Sequence, residues 1–236
     1  MGRLNQRVAI VTQARSGAGV GAGIAARLKN EGATVITVDA MPESKAAAER
    51  VAAAALADYG RIDILVNASD ETAAFAPLES KTDAVAPDAQ RVLWMMQAVY
   101  PAMRAQQSGR IVNLVATLGD SLNRQAADTV AASEAIKSLT RSAAEEWGQY
   151  NILVNALAPA ADTENFRRLR LAAPEAVDAL IAGTPMQRMG DPVDDIGGAV
   201  MLLIGEAGRF LTGHVLYADG GQHLTPTPYE ALVPMH

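Results

Sequence analysis

Short runs of β-branched and aliphatic residues alternate with segments of helical spacing along almost the whole chain, and this alternation leaves few folds open. Arg7–Thr12, Ala33–Val38, Ile62–Asn67, Arg110–Ala116, Asn151–Ala156 and His214–Tyr217 read as strands. Val20–Glu31, Glu43–Tyr59, Asp88–Gln107, Ala126–Gly148, Pro174–Ala182 and Pro192–Gly205 read as helices. Gly32 and Gly60 stand where helices commonly end, and Pro192 where one commonly begins. Strands alternating with helices imply βαβ units and a parallel sheet covered on both faces. Right-handed crossovers then wind that sheet doubly. The stretches 68–87 and 158–173 lack a clear period and read as loops.

Composition narrows the partners. The chain has 236 residues, enough for one α/β domain over 1–236 with a C-terminal tail at 222–236. Half the residues are apolar and 4% are aromatic, so Ala, Val, Leu and Ile must fill the core. The net charge of −6, without a basic block, argues against nucleic acid, whose binding draws on Lys and Arg. With no cysteine, disulfides and thiolate catalysis are excluded, which suits a reducing cytoplasm. No apolar run is long enough for a signal peptide or a membrane span. His214, His223 and His236 form no metal constellation and read as a strand, a loop and a terminal histidine.

The turn after the first strand runs Thr12-Gln13-Ala14-Arg15-Ser16-Gly17-Ala18-Gly19. Glycines there let a backbone approach a pyrophosphate at a helix N-terminus. Gly17 and Gly19 keep that option. Gln13 puts a long side chain into the tight turn. A second register through Gly19-Val20-Gly21 is also open. Asp39 closes the second strand, where an acid can bind ribose hydroxyls. Further on come Asn67-Ala68-Ser69-Asp70, Gly109-Arg-Ile-Val-Asn-Leu114, Asn151-Ile-Leu-Val-Asn155, Pro185-Met-Gln-Arg-Met-Gly190 and Asp219-Gly-Gly221.

On these motifs the chain resembles the short-chain dehydrogenase/reductase family over about residues 4–222. The resemblance implies a Rossmann-like fold. The family usually carries a further strand between the second strand and the Asp-Ile-Leu-Val-Asn strand. Only one helix fits between Asp39 and Ile62, so six strands are expected with the outer one missing. The family's catalytic Ser, Tyr and Lys fall on Ala116, Thr129 and Ser133, and its proton-relay Asn falls on Asp88. In Tyr-x-x-x-Lys the i, i+4 spacing places both side chains on one helix face, and the lysine makes the phenol more acidic. Thr129 and Ser133 keep the spacing without the chemistry. Lys137 is expected on a different face. Tyr100 and Arg104, the one tyrosine with a basic residue at +4, suit helix packing.

The expected reading is therefore a catalytically inactive subunit with no catalytic residue and no cofactor of its own. Gly17, Gly19, Asp39 and Thr163 remain as vestigial cofactor positions. Its partner would be an active paralogue carrying NAD and an intact Tyr-x-x-x-Lys, in a hetero-oligomer such as a heterotetramer. This resembles the hydroxyacyl-CoA dehydrogenase of anaerobic toluene (benzylsuccinate) degradation, which pairs active and inactive subunits. Two alternatives stand beside it. One is a cofactor-independent enzyme on the same fold, similar to halohydrin dehalogenases. The other is a ligand-sensing module.

Overall fold

The computed structural model describes residues 2–14, 19–68, 87–116 and 127–224. Six parallel strands form one sheet: β1 (Val8–Thr12), β2 (Thr34–Val38), β3 (Ile64–Asn67), β4 (Gly109–Leu114), β5 (Ile152–Pro159) and β6 (Val215–Ala218). Their order is β2-β1-β3-β4-β5-β6, so the chain reverses its direction of winding between β1 and β3. The strand expected to be missing beyond β2 is absent from this sheet. The doubly wound architecture follows as expected.

Among the described residues there are seven α-helices: α1 (Gly19–Asn30), α2 (Lys45–Tyr59), α3 (Pro87–Gln106), α4 (Ala127–Trp147), α5 (Glu164–Ala172), α6 (Pro174–Gly183) and α7 (Gly197–Ile204). One core packs α2, α3 and α4 against one face through Ala52, Met96, Val99 and Ile136. The other packs α1 and α7 against the opposite face through Ile24, Leu28, Val200 and Leu203. The inner strands β1, β3 and β4 are buried on both faces, which explains why they read as continuous apolar runs rather than alternating ones. Among the described residues, no helix is long and apolar enough to cross a membrane.

α5 occupies a stretch that reads as a loop. Its polar sequence hides the signal, because its helical state rests on local devices. The Thr163 hydroxyl caps its N-terminus by accepting from the Phe166 N–H at 3.2 Å. Glu164 pairs with Arg168 at i, i+4. Phe166 and Leu169 then pack against Val177 and Leu180 of α6.

The N-terminal edge of the sheet is locked by one buried carboxylate. Asp63 accepts from Arg7 Nη1 at 2.7 Å, Arg61 Nε at 2.8 Å, Arg61 Nη2 at 2.5 Å and the Val8 N–H at 2.9 Å. Burial alone would favour the protonated acid, but the hydrogen bonds from Arg61, Val8 and Arg7 outweigh it and hold Asp63 below the ordinary carboxylate range. A carboxylate with a lowered folded value stabilises the fold above its unfolded value, and that contribution is lost as pH falls through the folded value. Chemical denaturation should therefore show Asp63→Ala destabilising the chain by about 3 kcal/mol at pH 7. The deficit should shrink below about pH 4 as the wild-type carboxylate takes up its proton. A deficit unchanged between pH 7 and pH 3 would show that the charge on Asp63 contributes nothing.

Candidate active site

In a sheet of this topology a ligand crevice opens at the C-terminal ends of the strands where the winding reverses. Here that point lies between β1 and β3. Thr12 closes it from beneath: its hydroxyl accepts from the Ala68 N–H at 3.0 Å and donates to the Ala68 carbonyl at 3.3 Å. Asn67 Nδ2 donates to Asn113 Oδ1 at 2.9 Å, and Asn113 Nδ2 donates to Thr140 Oγ1 at 3.0 Å. This buried chain of amides and hydroxyls ties β3, β4 and α4 at fixed heights.

Both glycines of the second register, Gly19 and Gly21, lie among the described residues. α1 begins at Gly19, whose φ is +79° and whose absent Cβ would meet nothing within 4 Å. Gly21 is the close-approach glycine: a Cβ there would lie 2.6 Å from the Gln13 carbonyl and 2.9 Å from that of Thr12. Gly17 lies outside the described residues. Gln13 adopts φ +49°, the left-handed conformation glycine would supply at this point. The long side chain thus leaves the turn itself intact. Its Oε1 is buried without a hydrogen-bond partner, as is Asn67 Oδ1. Such buried acceptors are costly unless a donor meets them. A bare Cα at Gly21 against the carbonyls at the end of β1 suits the close helix–strand packing with which a helix N-terminus can face a dinucleotide's pyrophosphate. Asp39 stands exposed just past the end of β2, a position suited to ribose hydroxyls.

The positions matching the family's catalytic group are brought together but carry other atoms. Ser133 is buried on α4, and its hydroxyl accepts from the Ala116 N–H at 3.0 Å. This bond seats the first turns of α4 over the end of β4, with half-buried Thr129 one turn before. Asp88 lies in the first turn of α3 and pairs with Arg91 at 3.1 Å, so its carboxylate serves a local ion pair. Lys137 lies four residues after Ser133 on the buried stripe of α4, and its ammonium meets Glu134 at 3.0 Å. Asp70 lies outside the described residues.

β5 delivers the opposite wall. After Pro159 the chain is pinned by a bridge between Ala161 and Gly190, with the Asp162 N–H donating to the Gly190 carbonyl at 2.9 Å. Thr163 is buried there as the cap of α5. The segment from 188 to 195 is held in turn by a two-pronged bond from Arg188 to Asp195, at 2.6 and 3.0 Å. Arg188, helped by the Asp191 N–H, keeps the Asp195 carboxyl at about 2. Tyr100 stacks on Trp147 with ring centroids 4.6 Å apart, and Arg104 lies over Tyr150, not Tyr100, so this pair belongs to helix packing.

One further group has no signal in the motif pattern. At the end of β6 the buried carboxylate of Asp219 lies 2.8 Å from His223 Nδ1. The imidazole stacks on Tyr217 with centroids 4.2 Å apart. The spacing Asp219-x-x-x-His223 is legible, but only the turn that follows β6 makes it a contact.

Residues 43–223 match the family described as enoyl-(acyl carrier protein) reductase. The 12alpha-hydroxysteroid dehydrogenase of Clostridium sp. is 29% identical over 260 residues, covering 96% of this chain and all of the relative. Levodione reductase superposes with a TM-score of 0.84 at 27% identity, over 94% of this chain and 99% of that one. A gluconate 5-dehydrogenase candidate from Beutenbergia cavernae, solved with NADP bound at low occupancy, gives 0.82 at 30% identity over 94% and 98%. These findings overturn three expectations: that the chain is an inactive subunit, that it is no enzyme, and that it holds no cofactor. The crevice where the sheet's winding reverses lies among the described residues. The chain belongs to the short-chain dehydrogenase/reductase family.

Proposed function

We propose that the chain is an oxidoreductase that interconverts a hydroxyl and a carbonyl group with a nicotinamide dinucleotide bound at the β1/β3 crevice. The observation that carries this reading is the start of α1, where Gly21 lets the first turn of the helix approach the Thr12 and Gln13 carbonyls at the end of β1. The backbone N–H groups there suit the pyrophosphate. Asp39 would hold the ribose hydroxyls and repel the extra phosphate of NADP, which selects NAD. Thr163 and the pinned segment beyond β5 would border the nicotinamide. When bound, that ring supplies or accepts a hydride. The substrate's reacting carbon belongs beside Ala116 and Thr129, where the first turns of α4 meet the end of β4.

The relatives described above are named for a hydroxysteroid, levodione and gluconate, so oxo and hydroxy compounds of these kinds supply the first substrate panel. Titration of the purified chain should give saturable NADH binding with a dissociation constant on the order of 10–100 μM, a range common for enzyme ligands. NADPH should bind at least about tenfold more weakly. Asp39→Ser should bring the two within about threefold by removing the repulsion. Binding of neither nucleotide would sink this reading.

A further inference from the structure

Hydride transfer to a carbonyl needs a proton for the oxygen, and Thr129 with Ser133 offers no group suited to give it. A Thr hydroxyl stays protonated throughout the pH range of life, and Ser133 is committed to the Ala116 N–H. Another proton carrier has to face the same place.

The end of β6 holds one. The registers Leu114 with Leu157 and Leu157 with Leu216 put Ala116, Pro159 and Ala218 in one row across the C-terminal edge of the sheet. Neighbouring strands are about 4.8 Å apart, so the backbone at Asp219 lies about 10 Å from that at Ala116, within reach of two side chains and a small substrate. Tyr217 packs with the core that holds α3 and α4, the sheet face from which Ser133 reaches Ala116. His223 stacks on Tyr217, so its ring belongs to that face as well.

The dyad is built for orientation. Asp219 is almost wholly buried. Its Oδ1 accepts from the Gly221 N–H at 3.0 Å, and its Oδ2 accepts from the His223 N–H at 2.8 Å. These bonds fix the carboxylate, whose Oδ2 then accepts a hydrogen bond from the Nδ1–H of His223 at 2.8 Å. An imidazole held through Nδ1 presents Nε2 as its working atom. The His223 side chain keeps 29% of its surface exposed, whereas that of Asp219 keeps 1%. A buried, multiply bonded acid behind a partly open imidazole is how a general acid–base histidine is held in one tautomer.

We propose that His223, oriented by Asp219, is the proton-transfer residue of this chain and takes the part played by the tyrosine elsewhere in the family. The proposal rests on the oxidoreductase reading above. In the oxidising direction the substrate hydroxyl gives its proton to His223 Nε2. The carbon–hydrogen bond breaks, its electron pair leaving as hydride to the nicotinamide, and the carbon–oxygen bond becomes double. In the reducing direction the imidazolium returns the proton from Nε2 to the oxygen as the carbon receives the hydride. Asp219 is a positioning residue: it touches neither substrate nor hydride.

The test combines kinetics with a measurement independent of turnover. The full chain is assayed with NADH and the panel of oxo compounds, and NADH binding is titrated directly. His223→Gln should lower kcat about 100-fold or more, with the NADH dissociation constant and the melting temperature nearly unchanged. Asp219→Asn should lower kcat less and, by nitrogen NMR, release His223 from its single tautomer. In the wild-type chain the neutral His223 ring should carry its proton on Nδ1. A His223→Gln variant keeping more than a third of wild-type kcat overturns the proposal while leaving the oxidoreductase reading intact. A neutral ring protonated on Nε2 overturns it whatever the activity. A wild-type chain that neither binds NADH nor reduces any panel compound overturns the oxidoreductase reading, and the proposal falls with it.

Discussion

The structure depends on a single buried line of side-chain hydrogen bonds across the C-terminal half of the sheet. Thr12 bonds both backbone groups of Ala68, Asn67 bonds Asn113, and Asn113 bonds Thr140 on α4. Each of these residues is fully buried, so none can turn to water for a substitute. The line sets the height of α4 against β4, and that height allows Ser133 to meet the Ala116 N–H. The crevice floor and the helix bearing the former catalytic positions are therefore one mechanical unit. At the other end of the strands, Asp63 and its two arginines perform the locking. Stability and chemistry are thus kept at opposite edges. Residues at the cleft can change without loosening the clamp beneath.

Much of this architecture is legible in the sequence because the signals are local and periodic. Continuous apolar runs such as Val8–Thr12 and Ile64–Asn67 mark strands buried on both faces, and the short interval between Asp39 and Ile62 leaves no room for a further strand. Less local features escape. α5 is held by a cap and ion pairs rather than by an apolar stripe. Gln13 shows no sign in sequence that it will adopt φ +49° and do a glycine's work in the turn. That Gly21 is the glycine against the carbonyls of Thr12 and Gln13 is a contact only the folded chain makes.

Spacing along one helix is a weak guide to function. The Ser133 hydroxyl is engaged by the Ala116 N–H, and Thr129 lies one turn before it on α4. Replacement groups are harder to see, because they need not share the helix. Lys137 comes into the buried stripe through its relation to Ser133, and His223 meets Asp219 through a turn nearly ninety residues beyond Ser133. A pattern search asks whether known side chains remain at known places. Proton transfer asks only that some suitable group reach the same point in space.

The edge strand β2 carries one more consequence. It is the last strand of the sheet, its residues only partly buried, and Asp39 stands in the open at its tip. In a sheet with a further strand, the adenine half of a dinucleotide has protein on both sides. Here it would lie against β2 on one side and face water on the other. On the proposed reading, the grip on the cofactor is concentrated at the pyrophosphate and beyond. A dinucleotide held from one end dissociates readily and arrives anew for each reaction. The chain would then use it as a travelling co-substrate, filled and emptied by the surrounding pool, rather than as a resident group.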